Sequence, residues 1–496
     1  MSALDWVVIA VYAAFIVALG LFAGRGQKSA EGHLRAERSL PAWAVIFSIL
    51  ATEISAATYI GVPEKGFVGD WTYLQTTLGY LVGKLVLATF FVGLYWRLNL
   101  TSVYGFLGRR IGPRTQHAAA WGFLGGRLIA SGVRLYIAAL ALQVAAGVSL
   151  EFSMASMALL STAYTFLGGL KAVVWTDVAQ GSIFVLGAAT ALVFGLAAID
   201  VPLAELAREA FDTGKFRALT LEDGGQSWLV TQKPWPVAAL FGATLVLASH
   251  GTDQENVQHI LNTKSAKSST WSIALSALFA FPVVAVFLAV GTMLWLYHRH
   301  VPYSGYSTDA TNQIFPNFIV HAMPAGLRGL VFAGLFAAAI SSLGATLNAT
   351  ATIWISDIAP PKPGETSSLG RVRRLTCVFG TLLLGVGAFF AWRQRGDSKE
   401  LIDLALSAMT ILYGGILGTF LVALLFTRRG SDASTVAGLA CGIAVGAVGF
   451  FQKPLFGWES AKLDWAYTIP LAAAVTMAVA ACGRRTSPLT AASEEP

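Results

Sequence analysis

The chain has 496 residues, of which 55% are hydrophobic and 12% charged, and its formal charge is +7. Soluble domains carry about 25% charged residues, and one globular core cannot take up this much apolar surface, so a cytosolic globule is excluded. The basic residues are scattered between apolar runs, which excludes a nucleic-acid patch. The three cysteines (Cys377, Cys441, Cys482) have neither the even number of a disulfide framework nor metal-ligand spacing.

In chain order, apolar runs of about 18 residues or more predict thirteen membrane spans. Their cores are 4–24, 42–62, 71–96, 118–147, 153–170, 172–198, 236–259, 270–297, 327–357, 373–392, 401–427, 434–451 and 465–483. The first starts with Asp5, lacks a basic flank and a small-residue cleavage site, and reads as a span and not as a leader. Most connections are short. The exception, 200–235, contains the amphipathic stretch LAELAREAF. With the amino terminus outside, cytoplasmic segments hold about 19 Lys and Arg and external ones about 12. The dense clusters at Arg35/Arg38, Arg109/Arg110/Arg114, Arg371/Arg373/Arg374, Arg428/Arg429 and Arg484/Arg485 then share the cytoplasmic side, as does the carboxyl terminus.

Two spans depart from the rest. The second, FSILATEISAATYIGV, carries Thr52, Glu53, Ser55 and Thr58 in mid-membrane, and the seventh, LVLASHGTDQENVQHIL, is polar from Ser249 to Gln258. Lipid offers no partner to freed backbone groups, so such interruptions persist only where they line a cavity. Interrupted helices at corresponding places in two halves point to a transporter built from inverted repeats.

An alkali cation takes hard oxygen ligands. In the ninth span, AAAISSLGATLNAT, Ala338, Ser341 and Ser342 share one helix face. Facing the interruption at Ala51–Ile54, they predict a cage of three carbonyls and two hydroxyls; the alternative is a serine pair that only packs helices. Arg127 and Arg134, seven apart, share a face of the fourth span. A charge at this depth costs at least about 2.5–3.5 kcal/mol and needs a partner. Either Arg134 pairs with Glu53, or it forms a fork for a substrate carboxylate, two arginines against one glutamate leaving a positive surplus. Arg127 either joins it or snorkels to the surface, and Lys84 in the third span carries the same alternatives. His250 and His259 share no helix face and read as polar lining, and Asn348-Ala-Thr350 lies too deep in a span to be a glycosylation acceptor.

The segments GGLKAVVWTDVAQ (168–180), ATEISAATYIGVPEKGF (51–67), GLFAAAISSLGATLNATATIW (334–354) and GTDQENVQ (251–258) occur in the order expected of one family. Over about 1–430 the chain resembles the sodium/solute symporter family. The resemblance implies an all-α membrane protein of LeuT-type inverted-repeat fold with about 13 transmembrane helices. It divides the single transporter domain, 1–483, into an extra helix and linker (1–41), a ten-helix core (42–427) and two carboxyl-terminal helices (428–483), with a disordered tail over 484–496. It implies alternating access, with one Na+ bound by Ala51, Ile54, Ala338, Ser341 and Ser342. Asp177 matches an acidic position on an ion path, the alternative being a membrane-end cap. The hydroxyl positions of a second ion fall on Gly344 and Ala345, which implies a single ion. Glu53, Ser55, Thr58, Thr72, Gln75, Asp253 and Gln254 are the implied substrate contacts, with Arg134 beside them.

No GxxxxGK[ST] loop and no HExxH set occurs, so neither an ATP-driven pump nor an intramembrane metalloenzyme is expected. A transporter body serving as a sensor would need a long cytoplasmic extension beyond the last span. The expected activity is sodium-coupled uptake of a small organic solute, a carboxylate or acidic sugar first, across a bacterial cytoplasmic membrane. Neutral sugar, amino-acid and vitamin-like cargo, or proton coupling through Asp177 or Glu53, are the alternatives.

Overall fold

In this computed structural model, residues 1–25, 29–54, 56–301, 311–362, 367–393, 399–457 and 463–485 are described, and they form helices without a β-strand. The sequence start is capped: Ser2 accepts from the Asp5 amide and opens α1 (Ala3–Ala23). A short helix α2 (Ala30–Arg35) lies in the predicted linker, and then come α3 (Ala42–Glu53), α4 (Ala56–Val68), α5 (Leu74–Phe90) and α6 (Pro113–Ala146). The series continues through α7 (Leu150–Ala197), α8 (Leu203–Asp212, the LAELAREAF stretch), α9 (Trp235–Thr252), α10 (Gln254–Leu261) and α11 (Ala266–His300). It closes with α12 (Leu327–Ile353), α13 (Leu369–Arg393), α14 (Lys399–Leu425), α15 (Asp432–Phe450) and α16 (Thr468–Ala481).

Helical segments occupy all thirteen predicted span positions. Among the described residues, by length and composition alone, eight helices can cross a bilayer, or nine if the bent pair α3–α4 is one span. The difference has identifiable causes. The predicted fifth and sixth spans follow each other without a loop in α7, whose 48 residues are two helices joined at a kink and so pass as one candidate span. It turns at Gly169, whose φ of 53° and ψ of −151° no side chain favours. The seventh span is split between α9 and α10, and the last, Trp465–Ala481, is short of 18 residues.

α12 is the axis of the bundle. Every residue from Val331 to Ile353 is buried, which fits a sequence apolar or small around its whole circumference. It lies along α7, while α1 holds one side and shows Val7, Val11, Phe15 and Phe22 on the outside. Asp5 fastens that contact by accepting from the Gly326 and Gly329 amides, at 2.8 and 3.0 Å, and from Arg328. α5 and α9 approach closely because Gly79, Gly83 and Gly242 meet backbone: a Cβ on Gly79 would stand 2.1 Å from the Ala239 carbonyl oxygen. The tail SPLTAASEEP lies outside the described residues.

Candidate functional site

Both predicted interruptions are present. α3 stops at Glu53, Ile54 is extended (φ −88°, ψ 99°), and α4 resumes at Ala56. α9 stops at Thr252, Asp253 is extended (φ −100°, ψ 122°), and α10 follows at once. The freed groups find partners within the protein: the Gly251 carbonyl accepts from the Tyr95 hydroxyl at 2.8 Å, and Asp253 caps α10 through the Glu255 amide at 2.9 Å. At the second break, then, both of these backbone groups are taken up within the protein.

Around the first break, Glu53 on α3 meets Lys84 on α5 and, at 2.6 Å, His250 Nε2 on α9; both approach the same oxygen, Oε1. Lys84 is fully buried and also donates to Ser276 Oγ at 3.1 Å, so it does not snorkel. Around the second break, Arg127 on α6 is 1% exposed and pairs with Asp253 and, at 3.2 Å, with Glu255, while the Tyr413 hydroxyl donates to Asp253 at 3.0 Å. Thr346 of α12 donates to Glu255 at 2.5 Å. Arg134 lies about two turns further along the same face, 3.9 Å from Glu255, and its side chain keeps 28% of its surface accessible.

This arrangement corrects the charge reading from sequence. Glu53 pairs with Lys84 and His250, and Arg134 stands near Glu255, so the alternative of an Arg134–Glu53 pair is not realised. Nor do two arginines face one glutamate: Asp253 and Glu255 answer Arg127 and Arg134. Glu255 was missed although it sits two residues past the break, because nothing in GTDQENVQ says which of its acids turns toward α6. Arg127 is buried and paired and does not reach the surface.

A different group is left without a countercharge. Asp177 on α7 is fully buried, is no membrane-end cap, and accepts from Ser48 Oγ of α3 at 2.5 Å and Ser341 Oγ of α12 at 2.6 Å. Among the described residues no basic side chain forms an ion pair with it. Ser48 also contacts His259 Nδ1 at 3.0 Å, which places His259 as lining to the carboxylate's hydroxyl partner. Of the predicted cage, Ser341 touches Asp177, Ala51, Ala338 and Ser342 are buried, Ile54 stands at the α3 break, and Ser342 Oγ donates back to the Ala339 carbonyl at 3.1 Å. Beside Gly344 the Tyr164 hydroxyl fills the space a side chain would need, and it donates to the Ile340 carbonyl at 2.9 Å.

The remaining candidates divide by their partners. Gln75 is 2% exposed, and both ends of its amide are held by the long loop: Nε2 donates to the Lys233 carbonyl at 2.9 Å and Oε1 accepts from the Thr220 amide at 2.7 Å. Thr72 donates to Asp70 at 2.6 Å in the turn before α5. Gln254 accepts from the Val103 amide at 2.8 Å and donates to the Thr101 carbonyl at 3.2 Å, beside a cavity of about 1010 Å³ lined by Thr101, Ser102, Gln116 and Asp357. Thr58 is half-buried on α4. Ser55 falls outside the described residues.

Comparison with known proteins agrees with this geometry. The profile of the sodium:solute symporter family matches residues 33–442. The sodium/sialic acid symporter NanT of Aliivibrio fischeri is 30% identical over 447 residues, covering 89% of this chain and 86% of the relative. The sodium-dependent multivitamin transporter of Oryctolagus cuniculus is 29% identical over 456 residues, covering 89% of this chain and 69% of the relative. A solved sodium-coupled sialic acid symporter, substrate-bound and outward-open, superposes with a TM-score of 0.84 at 22% identity, covering 98% of this chain and all of that one. The chain belongs to the sodium:solute symporter family. It is a multi-pass membrane transporter of LeuT-type fold that couples Na+ to the movement of an organic solute.

Proposed function

We propose that this symporter takes up a small carboxylate, an acidic sugar foremost, with one Na+ per cycle, and that Asp177 marks the ion site. The observation that carries the ion assignment is a fully buried carboxylate held by two hydroxyls from α3 and α12 and, among the described residues, by no basic group. An isolated buried carboxylate is costly, and a cation bound by Ala51, Ile54, Ala338, Ser341 and Ser342, with Asp177 close behind Ser341, would neutralise it. The Tyr164 hydroxyl beside Gly344 supports a single ion, because it takes up the room a further side-chain ligand would need there. For the solute, Arg134 is the cation with room to act: its guanidinium is accessible and its nearest carboxylate oxygen is 3.9 Å away, beyond hydrogen-bonding distance. A planar fork of donors suits a carboxylate, and relatives named for sialic acid carry an acidic sugar. Glu53, Ser55, Thr58, Asp253 and Gln254 would complete the surroundings, with Gln75 and Thr72 holding the outer end of α5. The core would span 42–427, in a bacterial cytoplasmic membrane with the amino terminus outside.

Purified protein tests this by thermal shift in sodium and in choline, since a ligand of the folded state raises its stability by mass action. Sodium should raise the melting temperature of the wild type, and Asp177→Asn and Ser342→Ala should each remove that increment. A full sodium response in both variants would place the ion elsewhere. Uptake that follows pH and ignores sodium would transfer the coupling to protons.

A further inference from the structure

We propose that the protein has a separate ligand site, an anion pocket at the foot of α3, built by Arg35 and Arg38 and fitted to a phosphate ester. The pocket is a cavity of about 390 Å³ between the linker that leads into α3 and the segment that follows α5. It is lined by Ser29, Glu31, Gly32, Arg35, Arg38 and Asn99, none of which belongs to the ion cage or to the proposed solute surroundings. The basic clusters assign this side to the cytoplasm.

The two arginines differ in what they already hold. Arg35 is anchored: its Nη2 donates to Asn99 Oδ1 at 2.8 Å and its Nη1 to Glu31 Oε1 at 3.2 Å. Arg38 has no hydrogen bond or ion pair among the described residues. Its guanidinium lies over the Trp96 ring at 4.6 Å, and its Nε and Nη2 are enclosed without an acceptor. Glu31, the acid in the lining, is already in contact with Arg35, and its side chain is 75% exposed. One acid against two guanidinium groups leaves a positive charge. Burial, and secondarily the Arg38 charge, hold the Arg35 guanidinium below its usual pKa, so the two cations act on each other.

An enclosed donor without an acceptor is costly, and a guanidinium accepts nothing, so the missing partner is an anion. The level of the pocket favours phosphate. Trp96 ends the third predicted span, and Trp43, near the start of α3, is exposed; such aromatic residues mark the headgroup level of a bilayer. Arginine forks suit phosphate oxygens, and basic pockets at this level take phospholipid headgroups. A soluble phosphate ester offers the same chemistry from the cytoplasm, and the experiment separates the two sources.

Native mass spectrometry of the purified full chain reads the occupant by its mass. Phosphatidylglycerol, phosphatidylcholine and glycerol 3-phosphate are added in turn. The first and last share a glycerophosphate, whereas the second covers its phosphate charge with choline. The wild type should hold phosphatidylglycerol or glycerol 3-phosphate about tenfold or more tighter than phosphatidylcholine, as hydrogen bonds to a charged group allow. A stronger hold on glycerol 3-phosphate identifies a soluble ligand, and a stronger hold on phosphatidylglycerol a lipid. Arg38→Gln should bring the preference over phosphatidylcholine down toward one. Arg429→Gln, which removes an exposed charge from the same side, should leave it unchanged. If the wild type holds phosphatidylcholine as tightly as the other two, or binds none of them, the proposal is overturned without recourse to a variant. An undiminished preference in Arg38→Gln places the anion elsewhere, and an equal loss in Arg429→Gln makes it a response to the whole basic face; either result also overturns the pocket.

Discussion

At the scale of single residues, two arginines seven apart on one helix have opposite situations. Arg127 is enclosed and bound to Asp253 and Glu255, whereas Arg134 is loosely placed and accessible. Removing one member of a buried ion cluster strands the others in a low-dielectric interior, at a cost of about 3–5 kcal/mol. Arg127→Met should therefore lower the thermal midpoint sharply, and Asp253→Asn in the same chain should restore part of the loss. Arg134→Gln should stay within about 1 kcal/mol of wild type while weakening solute binding. Equal destabilisation by both substitutions would remove the division of labour proposed for them. The sequence made both arginines conspicuous, because a charge in an apolar run always stands out. It could not assign their partners, since Glu53, Asp253 and Glu255 are all within reach of some plausible packing. Asp177 was legible as a residue and not as a bridge: its contacts with Ser48 and Ser341 join positions 129 and 164 residues away.

Among the elements, the breaks in the second and seventh spans were visible as polar residues in apolar runs, and both lie where expected. The fifth and sixth spans, expected to abut at residue 171, meet in a kink at Gly169, against which His33 of α2 is packed: a Cβ on that glycine would stand 2.2 Å from the His33 carbonyl oxygen. Burial, and secondarily Arg373, push the His33 imidazole from 6.5 down to about 4. Between these values the unfolded chain binds a proton that the folded one refuses, so stability is complete above pH 6.5 and falls as the pH drops toward 4. His33→Gln should flatten that slope, which is worth up to about 3 kcal/mol at 1.36 kcal/mol per unit, in thermal midpoints measured from pH 4 to 7.5. A slope equal to that of wild type would show that the ring titrates freely. The long loop is a similar case. Lys215 reaches the carbonyls of Phe67 and Gly69, at 2.7 and 2.8 Å, and burial lowers its ammonium to about 8. With Gln75 it straps the loop to α4 and α5, a role its polar composition did not announce.

For the whole molecule, sidedness can be checked from charge. The basic clusters place 200–235 outside and 262–268 inside. With the native cysteines replaced, a cysteine at Gln226, which is exposed in the loop, should react with an impermeant maleimide on intact cells. One at exposed Lys267 should react only after the membrane is opened. The reverse pattern would invert the topology. The sequence by itself determined that the chain spans a membrane many times, where its helices fall, which two are interrupted and which family it joins. These properties are local: they depend on hydropathy over about 20 residues, on polar residues within a run, or on contiguous motifs. Only the tertiary structure decided which charges neutralise one another, that Asp177 has hydroxyl partners alone among the described residues, and that Arg134 keeps an accessible guanidinium. Pairing across helices depends on rotation and depth, and a shift of one residue turns a helical side chain by about 100°, which no reading of a single helix can fix.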